Sequence, residues 1–161
     1  MAKQKEEKTN VMRLLEQRGI PYTAHSYPAD GPVDGVSVAA FLGRDAEQVF
    51  KTLVCQGASG AHYVFDIPAA ESLDLRKAAR AVGEKSVAMI PRKELLGLTG
   101  YVHGGCSPVG MKKPFPTFFH VTAPYFDTIF VSAGQRGLQM EVNPQALIGY
   151  VGATVCDLTK E

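Results

Sequence analysis

The chemistry open to this chain is carried first by Lys51, in the segment Val49-Phe50-Lys51-Thr52-Leu53-Val54-Cys55. Strand alternation puts Lys51 with Leu53 and Cys55 and puts Phe50 with Thr52 and Val54. Both faces are then largely apolar, which predicts a central strand. A lysine there must snorkel or find a partner; the alternative is a lysine near a strand end with its amine in water. The second candidate is Gly104-Gly105-Cys106-Ser107-Pro108-Val109-Gly110. Adjacent glycines admit dihedrals closed to other residues, and Pro108 pushes Ser107 toward extended backbone. The N–H groups of Gly105, Cys106 and Ser107 could then converge on one oxygen, as an oxyanion hole or an anion nest; an ordinary turn is the other reading. Cys106 also lies three residues after His103, and a Cys/His pair can make a thiolate nucleophile, although a small residue in a tight loop is the preferred reading. The four histidines (25, 62, 103, 120) form no HExxH and have no close carboxylate companion, so no metal is expected.

The elements that must position these residues are short and punctuated. Helical spacing predicts a helix over 10–18, stopped by Gly19-Ile20-Pro21, then a strand over 22–27 and a helix over 36–42 closed by Gly43. Asp45-Ala46-Glu47-Gln48 reads as a capping box opening one more turn. The strand at 49–55 passes through Gly57-Ala58-Ser59-Gly60, a hairpin-like turn, into a strand at 62–67. Asp74 should cap a helix to about Val82 with Gly83 as its stop. A short strand follows at 86–90, and Pro91 should open a helix through Leu96. Strands are expected at 117–121, 128–132, 137–142 and 154–158, with Asn143-Pro144 starting one more helix. Helices interleaved irregularly with strands predict an α+β fold with a mixed sheet in one domain, 1–161.

Composition narrows the classes. The 161 residues are 45% hydrophobic and 20% charged, as in an ordinary globular domain. Lys+Arg is 17 against 16 Asp+Glu, so global attraction to nucleic acid is excluded. Between Arg76 and Lys113, however, eight bases face two acids, which describes either solvated helix faces or a phosphate-facing surface. Three cysteines without a CxxC argue against a disulfide framework or structural zinc and suit a reducing cytoplasm. Met1–Asn10 is nearly all polar, unlike a signal peptide, and no run approaches the roughly 20 apolar residues of a membrane span.

Taken together, His25-Ser26-Tyr27, Phe50-Lys51-Thr52-Leu53-Val54, Leu73 to Ala79, Thr99 to Lys113 and Ile129 to Leu138 resemble, in order and spacing, the YbaK/EbsC proteins. These are free-standing Cys-tRNA(Pro) deacylases related to the editing domain of bacterial prolyl-tRNA synthetases. The resemblance implies a compact α+β fold around a mixed, partly closed β-sheet. It also implies cytoplasmic, cofactor-free hydrolysis of a mischarged aminoacyl-tRNA ester. The partners implied are the tRNA(Pro) acceptor end and, as a second candidate, prolyl-tRNA synthetase, with no membrane. Lys51 matches the essential lysine, and Gly104, Gly105, Cys106, Ser107 and Pro108 match the loop facing the scissile carbonyl. Tyr27 matches a pocket tyrosine; Ser132, Arg136, Gln139, Lys112 and Lys113 join it as substrate-binding positions. Gln139 stands where close relatives often carry an Asp. Glu141, on the same strand face, is a candidate to replace that acid. In the cysteine-specific members the substrate's own thiol attacks its ester, so no protein base is needed. Deacylases for another mischarged tRNA, such as Ala-tRNA(Pro), and a non-catalytic tRNA- or synthetase-binding module are the alternatives.

Overall fold

In the computed structural model, residues 8–31 and 34–161 are described; the polar stretch 1–7 lies outside them. α1 (Asn10–Gln17) starts where Thr9 Oγ1 accepts from Met12 N, and it buries Val11, Met12 and Leu15. β1 (Tyr22–Ser26) leads to α2 (Gly35–Leu42), capped by Asp34, which accepts from Ser37 N at 2.9 Å. β2 (Phe50–Gly57) and β3 (His62–Pro68) form the expected hairpin. α3 (Leu75–Val82) is held between Asp74, which accepts from Arg76 N and Lys77 N, and Gly83 in the left-handed region. After β4 (Val87–Met89), the helix expected from Pro91 begins as one 3-10 turn and becomes α4 only at Leu95–Thr99. β5 (Thr117–His120), β6 (Ile129–Gln135), β7 (Leu138–Val142), α5 (Pro144–Val151) and β8 (Thr154–Cys156) complete the chain. Asn143 caps α5 by accepting from Ala146 N, with Pro144 at its first position.

The fold is α+β with mixed pairing, as expected, but the strands divide between two sheets and neither closes. One is antiparallel, in the order β1-β7-β6; the other is mixed, in the order β4-β2-β3-β5-β8. A parallel bridge between Val49 and Phe130 links them, with Phe130 N donating to Gln48 O at 3.0 Å. The turn expected at Asp45–Gln48 lies beside that link. The Asp45 carboxylate accepts from Glu47 N and Gln48 N donates to Asp45 O at 2.9 Å, so a single turn forms, while Gln48 Nε2 donates to Thr128 O and ties that turn to the start of β6.

The main core lies where α1 and α5 cover the antiparallel sheet, around Leu15, Phe119, Ile129, Met140 and Leu147. A second core, with Phe65, Ile67, Ala78 and Leu158, lies beneath α3. Burying each such large side chain stabilises the fold by about 1.5–3 kcal/mol.

The register of β2 decides which of its peptide groups are left open. Ala69 N donates to Val49 O and Gly57 N to Ala61 O, so the odd-numbered residues of β2 bond to β3. The even-numbered peptides face the opposite edge, where Val54 O accepts from Ile90 N. β4 covers that edge only at Cys55–Gly57, and Phe130 covers it only at Gln48–Val49. Between them, among the described residues, no strand is paired with β2 on that edge at Thr52.

Candidate active site

A cavity of about 340 Å³ opens at this uncovered edge. Its walls are the start of β2, the N-terminus of α2, the loop after α4, and the paired strands β6 and β7. Lys51, Gly104, Cys106, Tyr27, Ser132 and Gln139 all line it. Lys51 is half-buried and its Nζ donates to Ala69 O at 3.2 Å. It is therefore a partnered lysine and not one adrift in water. Burial pulls its pKa below the ordinary lysine value, opposed by the charge of Glu71.

The glycine loop is only partly the donor array that its composition invites. Gly105 N donates to Val102 O at 2.9 Å and closes a turn with Gly104 at φ +85°. The Gly105 N–H is thus already spent. Gly105 serves packing instead: a Cβ there would lie 2.9 Å from Arg136 N and 3.0 Å from Gln135 Cα. Among the described residues, the N–H groups of Gly104, Cys106 and Ser107 have no acceptor. Of these three residues, Gly104 and Cys106 reach the cavity. Ser107 is fully buried behind it, its Oγ accepting from Val109 N, and Pro108 is buried beside it.

Arg136 is exposed and does not line the cavity; its Nε donates to His103 O at 2.8 Å and ties the β6–β7 turn to the glycine loop. Lys112 and Lys113 are exposed and do not line the cavity. Lys112 N donates to Thr99 O, and its side chain runs past Gly100.

The pKa of the Cys106 thiol is pushed up to about 12, by burial first and by nearby Asp66 second. The thiol stays protonated near neutral pH, so the thiolate nucleophile lacks its reactive form. His103 also lines the cavity; burial, with the charges of Arg92 and Arg136, lowers its pKa and keeps its imidazole neutral near pH 7.

Tyr27 is 7% exposed and anchored by its N–H to Gly137 O. Ser132 and Gln139 are cross-strand partners on β6 and β7 and so point to the same side. Ser132 Oγ accepts from Gly134 N, whereas Gln139 Oε1 is buried with no partner. Glu141 does not substitute for the missing acid. Its carboxylate accepts from Thr128 Oγ1 at 2.6 Å and contacts His25 Nε2 at 2.9 Å and Arg44 at 3.6 Å, away from the cavity.

Sequence reasoning missed several neighbours. Asp34 and Gly35 bring the start of α2 into the cavity, and Gly35 sits so close to Ala69 that a Cβ would approach its Cβ to 2.4 Å. Partly buried Thr52 donates its hydroxyl to Asp66 Oδ1 at 2.5 Å, with Asp66 Oδ2 unpartnered and Asp66 wholly inaccessible. Burial drives the Asp66 carboxyl up to about 8, so it is largely a neutral acid at pH 7. One acid inside the apolar run Tyr63-Val64-Phe65-Asp66-Ile67 was the available signal.

The model of the aminoacyl-tRNA editing domain matches residues 33–150, which takes in every residue lining the cavity except Tyr27. The chain belongs to that family. It is 42% identical, over 99% of its length and 98% of the relative's, to the Enterococcus faecalis protein named "Putative Cys-tRNA(Pro)/Cys-tRNA(Cys) deacylase EbsC". A solved structure described as "a putative trans-editing enzyme for prolyl tRNA synthetase" superposes with a TM-score of 0.84 at 28% identity, covering 97% of this chain and all of that one. A further structure, of a hypothetical protein, shares the fold alone at 23% identity and a TM-score of 0.86, covering 93% of this chain and 99% of that one.

Proposed function

We propose that the chain is an aminoacyl-tRNA deacylase that edits in trans, with the cysteinyl ester of tRNA(Pro) as its substrate. The reading rests on one observation: Lys51, Gly104 and Cys106 line the same cavity, and the peptide N–H groups of these two loop residues have no acceptor among the described residues. An ammonium and backbone donors around one carbonyl would stabilise the negative charge that develops on it, and one such donor is worth about 3–4 kcal/mol. With Gly105 excluded, Gly104 and Cys106 are the loop's donors.

Lys51 and the loop would hold the ester while the substrate's sulfur attacks its own carbonyl carbon. A carbon–sulfur bond forms, the ester carbon–oxygen bond breaks, and the thiol proton ends on the 3′ (or 2′) oxygen of the tRNA. The product is a thiolactone. Tyr27, Ser132 and Gln139 would contact the aminoacyl group. Arg136 acts through the loop it anchors; Lys112 and Lys113 would meet phosphate outside the cavity. Near-neutral overall charge fits weak selection of the tRNA body, with prolyl-tRNA synthetase as the partner that presents it.

A second reading is favoured by His103: a neutral imidazole lining the cavity could activate water. Deacylation of Cys-, Ala-, Ser- and Pro-tRNA(Pro), with Cys-tRNA(Cys) alongside, tests the function. Cleavage confined to the cysteinyl esters and lost in a folded Lys51→Ala variant is expected. Full activity of Lys51→Ala, or no cleavage of any ester, refutes it.

A further inference from the structure

Two guanidinium groups that the carbonyl chemistry does not use meet at His103. That residue is exposed yet lines the cavity, one position before Gly104, and so forms part of the rim. Arg136 reaches it from the β6–β7 turn, and its Nε donates to His103 O at 2.8 Å. The bond takes one of the guanidinium's N–H donors; its terminal nitrogens have no acceptor among the described residues. Arg92 comes from the 3-10 turn before α4. Side chains three apart on such a turn eclipse, which puts Arg92 on the side of Leu95, and Leu95 lines the cavity. Arg92 is exposed and, among the described residues, its guanidinium has no hydrogen bond or ion pair. After burial, the charges of Arg92 and Arg136 are what lower the His103 pKa, so both fields reach the ring. Glu94, two residues on from Arg92, is turned to a different side of the 3-10 turn. Asp34, the carboxylate among the described lining residues, is committed to Ser37 N and Ser37 Oγ, each at 2.9 Å.

Two cations brought to one rim repel each other until an anion joins them, and a guanidinium fork matches a pair of phosphate oxygens in plane and spacing. An ester whose carbonyl oxygen sits on the Gly104 and Cys106 N–H groups would set its ribose, and then the ribose's 5′ phosphate, toward the rim that His103 forms. We propose that Arg92 and Arg136 clamp the phosphodiester on the 5′ side of the terminal, aminoacylated nucleotide, so that this chain reads one unit of RNA backbone at the mouth of its cavity. The assignment rests on the deacylase reading and adds a recognition element to it. A phosphate carries no base identity, so the clamp fixes the register of the ester against Lys51 and the loop and serves every tRNA alike.

The test compares single-turnover cleavage, at subsaturating enzyme, of cysteinyl-tRNA(Pro) and of the same ester on a tRNA whose last internucleotide linkage is an uncharged methylphosphonate. Wild type should prefer the natural linkage by at least about tenfold, the scale of hydrogen bonds to a charged group. Arg92→Gln and Arg136→Gln should each cut that preference at least about threefold, and the double variant should bring it close to unity. The preference is a ratio measured on one protein, so the loss of loop anchoring in the Arg136 variants falls on both substrates and cancels. Equal rates on the two substrates in wild type, an undiminished preference in a folded Arg92→Gln, or a preference that survives in the folded double variant overturns the proposal alone. A wild-type protein that cleaves neither substrate overturns the deacylase reading and the proposal with it.

Discussion

Replacing Asp66 with Asn should make stability less dependent on pH, with a slope that can be worked out from where Asp66 sits. The carboxyl is wholly inaccessible in the middle of β3, with one partner, Thr52, and one oxygen unmet. Its pKa is about 8 in the folded chain against an ordinary value of 3.8. Below pH 4 both folded and unfolded chains hold the proton, and the acid contributes no pH-dependent cost. Between about pH 4 and 8 the folded chain keeps a proton that the unfolded chain has lost, so stability falls by about 1.4 kcal/mol per pH unit. At pH 7 the loss is about 4 kcal/mol relative to pH 4, an upper bound that any relaxation around Asp66 reduces. Above pH 8 the slope from this group vanishes. An asparagine side chain accepts from Thr52 in the same way and never ionises. Amide hydrogens left without acceptors would cost about 1–3 kcal/mol, but that cost is independent of pH. The stability difference, Asp66→Asn variant minus wild type, should therefore rise steadily from about pH 4.5 to 8 whatever its sign at the start. At about 2–4 °C per kcal/mol for a chain of this size, the relative gain approaches about 10 °C in Tm by pH 7. Urea or thermal unfolding at several pH values measures it. Parallel stability curves for the two proteins would refute the neutral buried acid.

Gly105→Ala should lower both stability and activity, because its Cβ meets the Gln135–Arg136 backbone at 2.9–3.0 Å; paired melting and single-turnover assays check this, and a variant with normal melting and rate contradicts the packing role. Cys106→Ala should retain activity within about threefold, since a thiol with its pKa held at about 12 is not the nucleophile; a folded but inactive variant points back to covalent catalysis. Replacing Lys112 and Lys113 together should weaken tRNA binding about equally for different tRNAs and reduce the log–log salt slope by about two, as a salt titration would register.

Much of the architecture was legible because its signals are local. Asp74 and Gly83 bracket α3, Asn143-Pro144 opens α5, and Gly57–Gly60 turns the β2–β3 hairpin, each within a few residues. What stayed hidden were contacts made from a distance. At Asp45–Gln48 the turn forms, but its Gln48 side chain is held by Thr128 O, 80 residues on. The link between the two sheets, Val49 meeting Phe130, is a contact that no window of sequence displays. At the site, Lys51 and the glycine loop were readable from residue type. The fate of the Gly105 N–H was not, because the turn to Val102 is a matter of dihedrals and glycine permits several. Asp66 went unread because its partner, Thr52, is adjacent only through strand register.

Whether the substrate supplies its own nucleophile to a carbonyl held by Lys51 and the loop is tested most directly by one ratio. Cysteinyl- and seryl-tRNA(Pro) differ by a single atom, and pocket fit separates a thiol from a hydroxyl only modestly. A thiol with a pKa of about 8.5 is a few per cent thiolate near neutrality, whereas a serine hydroxyl is essentially never ionised there. Single-turnover rates on the two esters, with the first product identified, should show cysteinyl cleavage faster by at least about 100-fold, rising with pH toward the thiol's pKa and yielding a thiolactone. Equal rates, with free cysteine as the first product, would mean that water attacks, with His103 as its base, and would contradict attack by the substrate's own sulfur.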